Sequence, residues 1–183
     1  MIKILSRPEL EAADALEAVR ERYGLDGTLT PLPGERDLNF RLDTPDGARF
    51  VIKASSPDEV DEILDIEVDL VRHIARMTEG FAPDVVPASN GEYVVRYTDA
   101  AGRAQRLRVV EYLEGGLLAN VRPRSRTLLY DLGRRLAELD SALGAYPDHP
   151  PARIDFDWAL GRSGMVMERC FDLFQGEELD LIR

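Results

Sequence analysis

Cysteine is almost absent: Cys170 stands alone in 183 residues. That excludes an intramolecular disulfide and any zinc framework built on paired cysteines. The residue itself is expected to be a small buried apolar side chain on a helix. Histidine is scarce as well, limited to His73 and His149. No apolar run approaches the ~20 residues that cross a bilayer. The opening Met1-Ile2-Lys3-Ile4-Leu5-Ser6-Arg7 is too short and too soon charged for a signal peptide. A cytoplasmic protein is the expectation. Positive charge is in the minority: the net charge of −11 argues against the basic stripe that nucleic acid or an anionic membrane surface requires. It does not exclude a nucleotide, because one lysine and a few backbone amides hold phosphates in a local basic pocket.

What is present is an ordinary globular composition. With 44% hydrophobic and 31% charged residues, the chain can bury a core and is not of the disordered class. Its length suits one domain or two small lobes. A helix is expected from Pro8 to Tyr23, with Ser6 offered as a cap and Gly24 as the stop. Leu10, Ala12, Ala13, Leu16 and Val19 form its modest apolar face. Thr28 to Pro33 reads as an edge or bent strand because of its two prolines. The polar turn Gly34-Glu35-Arg36-Asp37 follows, then the alternating Leu38-Asn39-Phe40-Arg41-Leu42 and the hairpin turn Pro45-Asp46-Gly47.

The stretch Arg49-Phe50-Val51-Ile52-Lys53-Ala54 is a strand rich in β-branched and aromatic residues. Alternation puts Phe50 and Ile52 on one side and Val51 and Lys53 on the other. A helix is expected from near Pro57, capped by Ser56 and acidic in its first turn, and ending by Gly80. Its stripe is Ile63, Ile66, Leu70, Val71, Ile74 and Met77. Glu67 lies inside that stripe, and a carboxylate there needs a partner to offset its desolvation. Lys53 is the preceding candidate. A strand Lys joined to an inward-facing helix Glu is how protein-kinase-like folds hold nucleotide phosphates.

Two more strands are expected, Tyr93–Tyr97 and Leu107–Tyr112, joined by a turn at Asp99 to Gly102. Beyond Glu111-Tyr112-Leu113-Glu114-Gly115-Gly116 the pattern turns helical. One helix runs from Arg126 to Leu143, with Leu128, Leu132, Leu136, Leu139 and Leu143 on or near one face. A Pro-rich loop spans Tyr146 to Pro151, and a last helix runs from Met165 to Ile182 with Val166, Cys170, Phe171 and Phe174 inward. A β-rich first part and an α-rich second part joined through glycines fit two lobes and a hinge.

The order of these elements resembles the first lobe of the aminoglycoside phosphotransferase and choline-kinase-like family of small-molecule kinases, closest to its hydroxylysine-kinase-like branch. Gly34 to Phe40, Asp65-Ile66-Glu67-Val68, Leu132 to Asp140 and Phe156-Asp157-Trp158 carry the resemblance. It implies an α+β fold: a protein-kinase-like N-lobe over 1–113, with about five antiparallel strands and one inserted helix, then a hinge and partial helical C-lobe over 114–183. It implies ATP as the nucleotide. Lys53 would contact the α- and β-phosphates, held by Glu67. Val51 would cover the adenine, backbone groups of Glu111 and Leu113 would meet its edge, and Gly34, Glu35, Arg36 and Asp37 would turn over the phosphates. No GxxxxGK[ST] run offers the other common route to ATP.

The resemblance also sets a gap. The family carries an H-G-D or H-N-D catalytic loop and a later metal-binding Asp. His73 is followed by Ile74-Ala75 and His149 by Pro150-Pro151; both are expected to be surface histidines without function. Asp157, in Asp155-Phe156-Asp157, is expected as a helix cap or substrate-side loop residue rather than a metal ligand. No catalytic or metal residue is therefore assigned, and Mg is expected only in a full-length protein. The expectation is a fragment of an ATP-dependent kinase for a small hydroxyl compound, inactive alone and prone to self-association through its helices. The alternatives are a non-catalytic interaction module, or an α+β domain in which Lys53 and Glu67 are an ordinary structural ion pair.

Overall fold

The computed structural model describes residues 6–78, 81–147 and 163–173. The chain divides into two compact units, Leu5–Asp148, and Met1–Ile4 with His149–Arg183. In the first, helix α1 (Ala12–Tyr23) precedes strands β1 (Thr28–Leu32), β2 (Leu38–Asp43) and β3 (Arg49–Ala54). Helix α2 (Asp61–Met77), strands β4 (Val85–Val86), β5 (Val95–Thr98) and β6 (Ala104–Glu111) and helix α3 (Arg126–Gly144) complete it. The described part of the second unit is helix α4 (Ser163–Cys170) and a 3-10 turn, Phe171–Leu173.

The strands form one antiparallel sheet in the order β1-β2-β3-β6, with β4 and β5 both pairing to β6. The hairpin turns form where their residues predict. Gly47 adopts φ 87° and Gly102 φ 78°, a region that a side chain resists. Gly24 ends α1 at φ 67°. The sheet has six strands rather than about five. The addition, β4, has two residues, too few for any alternation to show.

The register decides which face is core. Phe40, Leu42, Ile52, Ala54, Leu107 and Val109 point to one side, where they cluster with Leu10, Ala15, Ala18 and Val19 of the N-terminal segment. Burying each large apolar side chain contributes about 1.5–3 kcal/mol. Two expectations for this helix change. Its buried side is Ala15, Ala18 and Val19, while Ala12 and Ala13 are exposed; alanines all around leave the face ambiguous in the sequence. It also starts at Ala12, because residues before it are held extended by distant partners. Ser6 N donates to Asp58 Oδ2 at 2.7 Å, and Gln105 Nε2 donates to the Glu9 carbonyl at 2.8 Å.

α2 lies on the opposite face, where Arg106 and Arg108 of β6 point. Its buried residues are Leu64 and Val68, one turn apart; the expected stripe is only half-buried, and Met77 is exposed. The helix starts at Asp61, since Ser56 Oγ accepts instead from Asp58 N in the preceding turn. α3 is capped by Ser125, whose Oγ accepts from Leu128 N at 3.1 Å. Leu129, Tyr130, Leu132, Leu136 and Leu143 remain exposed on it. In the second unit Val166, Cys170 and Phe171 are half-buried, so Cys170 is not the fully buried residue expected. Phe174, the rest of the expected last helix, His149 and Asp155 to Trp158 lie outside the described residues.

The β5–β6 hairpin contains a buried carboxylate. Burial alone would raise the Asp99 pKa. Hydrogen bonds from the Arg103 N–H, the Arg103 guanidinium and the Gln105 amide outweigh it and hold the group below its ordinary value. Asp99 therefore takes up its proton less readily folded than unfolded. Its stabilisation is present above the unfolded pKa, about 3.9, and is lost as pH falls through the lower folded value. In urea titrations between pH 5 and 3, Asp99→Asn is expected to lose stability less steeply than the wild type; parallel slopes would contradict this.

Candidate functional site

β3 carries the two predicted strand residues on the face away from the α1 core. Lys53 is opposite Asn39 on β2 and Arg108 on β6; Val51 is opposite Arg41 and Val110. Both β3 side chains are half-buried, whereas Ile52 and Ala54 on the other face are fully buried. The alternation read from the sequence holds along the whole strand.

The expected direct pair between Lys53 and Glu67 does not form. Lys53 Nζ lies 3.4 Å from Asp37 Oδ2, and Glu67 Oε2 lies 3.1 Å from Arg108 Nη2. The same Nη2 is 3.2 Å from Asp37 Oδ2, and Arg108 Nη1 donates to Ser55 Oγ at 2.7 Å. A four-membered chain results, Lys53–Asp37–Arg108–Glu67, alternating in sign. The physical reason is proximity across the ladder: Arg108 is beside Lys53 on the central strand, and its planar fork reaches both carboxylates where an ammonium would reach one. The burial gradient follows. Arg108 keeps 9% of its side-chain exposure, Asp37 20%, Lys53 31% and Glu67 35%. The deepest of these four charges is thus an arginine that no sequence motif singles out. Its signal is faint: an Arg at alternate positions of Arg106-Leu107-Arg108-Val109-Val110, in a strand long enough to be paired on both edges.

Gly34 to Asp37 form a tight turn between β1 and β2. A Cβ on Gly34 would lie 2.2 Å from the Asp37 carbonyl oxygen and 2.5 Å from Asn39 Nδ2, so no other residue fits without opening the turn. Arg36 Nη1 lies 3.7 Å from Glu59 Oε2, which ties the turn to the start of α2. Arg106 reinforces that start, donating to the Glu59 carbonyl at 2.6 Å and to Asp61 Oδ1 at 3.0 Å. Glu35 makes no ion pair or hydrogen bond among the described residues. Asn39 Oδ1 is buried with no hydrogen-bond partner among them.

At the other end of the strands, the Glu111 N–H donates to the Asp84 carbonyl at 3.0 Å, and its carboxylate accepts from Asp84 N. Leu113 is half exposed, and its backbone makes no hydrogen bond among the described residues. Arg49 grips Glu114 through both carboxylate oxygens, at 2.8 and 2.9 Å, and so fixes the start of the connector.

His73 is not the idle surface residue expected. Half-buried on α2, its Nε2 meets the Ala142 carbonyl at 2.8 Å, and its ring stands edge-on to Tyr146 at 5.2 Å. It docks α3 onto α2, a structural role. Among the described residues no group of three or more His, Cys, Asp and Glu is arranged to hold a metal ion, and no helix is long and apolar enough to cross a membrane.

Residues 28–181 match the phosphotransferase enzyme family. Over 164 residues the chain is 27% identical to a hydroxylysine kinase of Danio rerio, covering 85% of this chain and 46% of that protein. Among solved structures, the amicoumacin kinase hAmiN, in complex with AMP-PNP, Ca2+ and Ami, superposes with a TM-score of 0.66 at 15% identity, over 92% of this chain and 49% of that one. A microcompartment-associated aminopropanol kinase superposes with a TM-score of 0.63 at 17% identity, over 89% and 56%. The chain spans about half the length of the curated relative it matches. Its sheet and helices share the α+β kinase-like fold of these structures.

Proposed function

Because the chain belongs to the phosphotransferase enzyme family, we propose that it is the nucleotide-binding portion of an ATP-dependent kinase acting on a small hydroxyl or amino compound. The observation that carries this reading is the placement of Lys53. It is a half-exposed cation on a central strand, beside a glycine turn that admits no side chain and on the sheet face occupied by α2. ATP would supply the phosphoryl group to be transferred. Lys53 binds its phosphates, Gly34 to Asp37 turn over them, Val51 covers the adenine, and Leu113 N–H with the Glu111 carbonyl reads its edge. Glu67 acts one step removed, by orienting Arg108. The nucleotide-binding lobe is 1–113, and 114–183 is the hinge and the start of the second lobe.

Phosphoryl transfer depends on positioning and on stabilising charge at the transferred group. Neither histidine of these 183 residues begins a His-x-Asp sequence; on this reading the chain binds nucleotide and transfers nothing by itself. Calorimetric titration with ATP and Mg²⁺ tests this reading. A saturable heat is expected, together with no phosphorylated product from amino alcohols or hydroxy-amino acids. Absence of binding would overturn the nucleotide assignment; turnover abolished by Lys53→Ala would overturn the assignment of inactivity.

A second reading, an interaction module without catalysis, is favoured by the leucines left exposed along α3, since an uncovered apolar face seeks a partner. Self-association in solution together with no saturable heat from ATP would favour it.

A further inference from the structure

The ladder sets Lys53 directly opposite Arg108. Like charges facing each other on an antiparallel pair destabilise it, and an anion between them reverses the sign. That anion is Asp37 Oδ2, 3.4 Å from Lys53 Nζ and 3.2 Å from Arg108 Nη2. The two cations differ in what else holds them. Among the described residues Lys53 has no carboxylate but Asp37 within 4.0 Å, whereas Arg108 also has Glu67 and Ser55. Asp37 comes from a turn rather than from the ladder. Asn39, opposite Lys53 on the other side, leaves Oδ1 buried and unpartnered among the described residues. A carboxylate left in place beneath a phosphate would repel it, so a turn that closes over phosphates must first remove Asp37 from the two cations.

We infer that Lys53 and Arg108 together form one phosphate subsite, and that Asp37 occupies it as a placeholder which a nucleotide phosphate displaces. The inference rests on the nucleotide reading above. When Asp37 leaves, Glu67 continues to neutralise Arg108, and Lys53 is freed for the incoming oxygen. The arginine thus does two things: it keeps α2 against the sheet, and it offers a second cation to the phosphate.

The test compares adenosine, AMP, ADP and ATP by titration calorimetry on the wild-type chain, Asp37→Asn, Asp37→Ser and Arg108→Gln, each first checked by its thermal melt. Removing a competing, partly exposed carboxylate is expected to tighten ATP by about three- to fivefold. Adenosine should be unchanged, and the gain should vanish when Arg108→Gln is combined with Asp37→Asn. The serine variant separates loss of the carboxylate from any turn preference of asparagine. Equal ATP affinity in wild type and both Asp37 variants would overturn the subsite while leaving the nucleotide reading intact, as would weaker binding in both. A change of the same size for adenosine would do likewise. If no form binds ATP, the nucleotide reading fails and the subsite with it. Binding by the Asp37 variants alone would support the placeholder most strongly.

Discussion

Lys53→Ala is expected to weaken ATP binding by roughly 10- to 150-fold, the loss of one charge-assisted hydrogen bond worth about 1.5–3 kcal/mol. Its effect on folding should be small. The only partner within 4.0 Å among the described residues is Asp37, both side chains touch solvent, and such pairs contribute about 0–1 kcal/mol. Binding and stability therefore separate at this residue. Adenosine, which carries no phosphate, should bind the variant as it binds the wild type. Calorimetric titration beside a thermal melt measures both. Unchanged ATP affinity would remove Lys53 from the site; a large drop in melting temperature with adenosine binding also lost would make it structural.

At Arg108, unlike Lys53, a large effect on stability is expected beside any effect on binding. Arg108→Leu strips the shared partner from Asp37 and Glu67 and leaves Ser55 Oγ, which is buried, without its donor. Breaking a fully buried pair costs about 3–5 kcal/mol; with two partners still partly solvated, about 2 kcal/mol is expected here. Arg108→Lys should recover only part of it, because a single ammonium cannot reach both carboxylates and the serine at once. The internal comparison is Arg134 on α3, whose ion pairs with Asp131 and Glu138 lie at the surface and whose loss should be nearly neutral. Urea unfolding of Arg108→Leu beside Arg134→Ala gives the answer, and equal effects would show that the charge chain does not hold α2 to the sheet.

Features set by neighbouring residues are legible in the sequence. Gly24, Pro45 to Gly47 and Asp99 to Gly102 each carry their geometry within a few residues, and each forms where expected. The face of β3 is legible for the same reason, since strand alternation is local. Burial on α2 is not. Leu64 and Val68 are buried, while Ile63, Ile66 and Leu70 lie on an adjacent, half-covered side; a helix apolar on two sides does not say which one the fold buries. The partner of Glu67 is not legible either. Its choice of Arg108 over Lys53 is settled by a contact 41 residues away, through the register of β3 on β6. Arg108 escapes notice because a strand arginine looks like a surface residue until both edges of its strand are paired and a helix covers its face.

Whether phosphates reach Lys53 decides the nucleotide site, and the composition makes that directly measurable. Lys3 and Lys53 are the only lysines in the sequence, so amine acylation followed by mass spectrometry reports Lys53 with Lys3 as its internal reference. ATP with Mg²⁺ is expected to slow acylation of Lys53 severalfold, a weak-binding estimate for a cation that gains a phosphate partner, while Lys3 is unaffected and adenosine protects neither. Acylation of Lys53 at the same rate with and without ATP would contradict the nucleotide site.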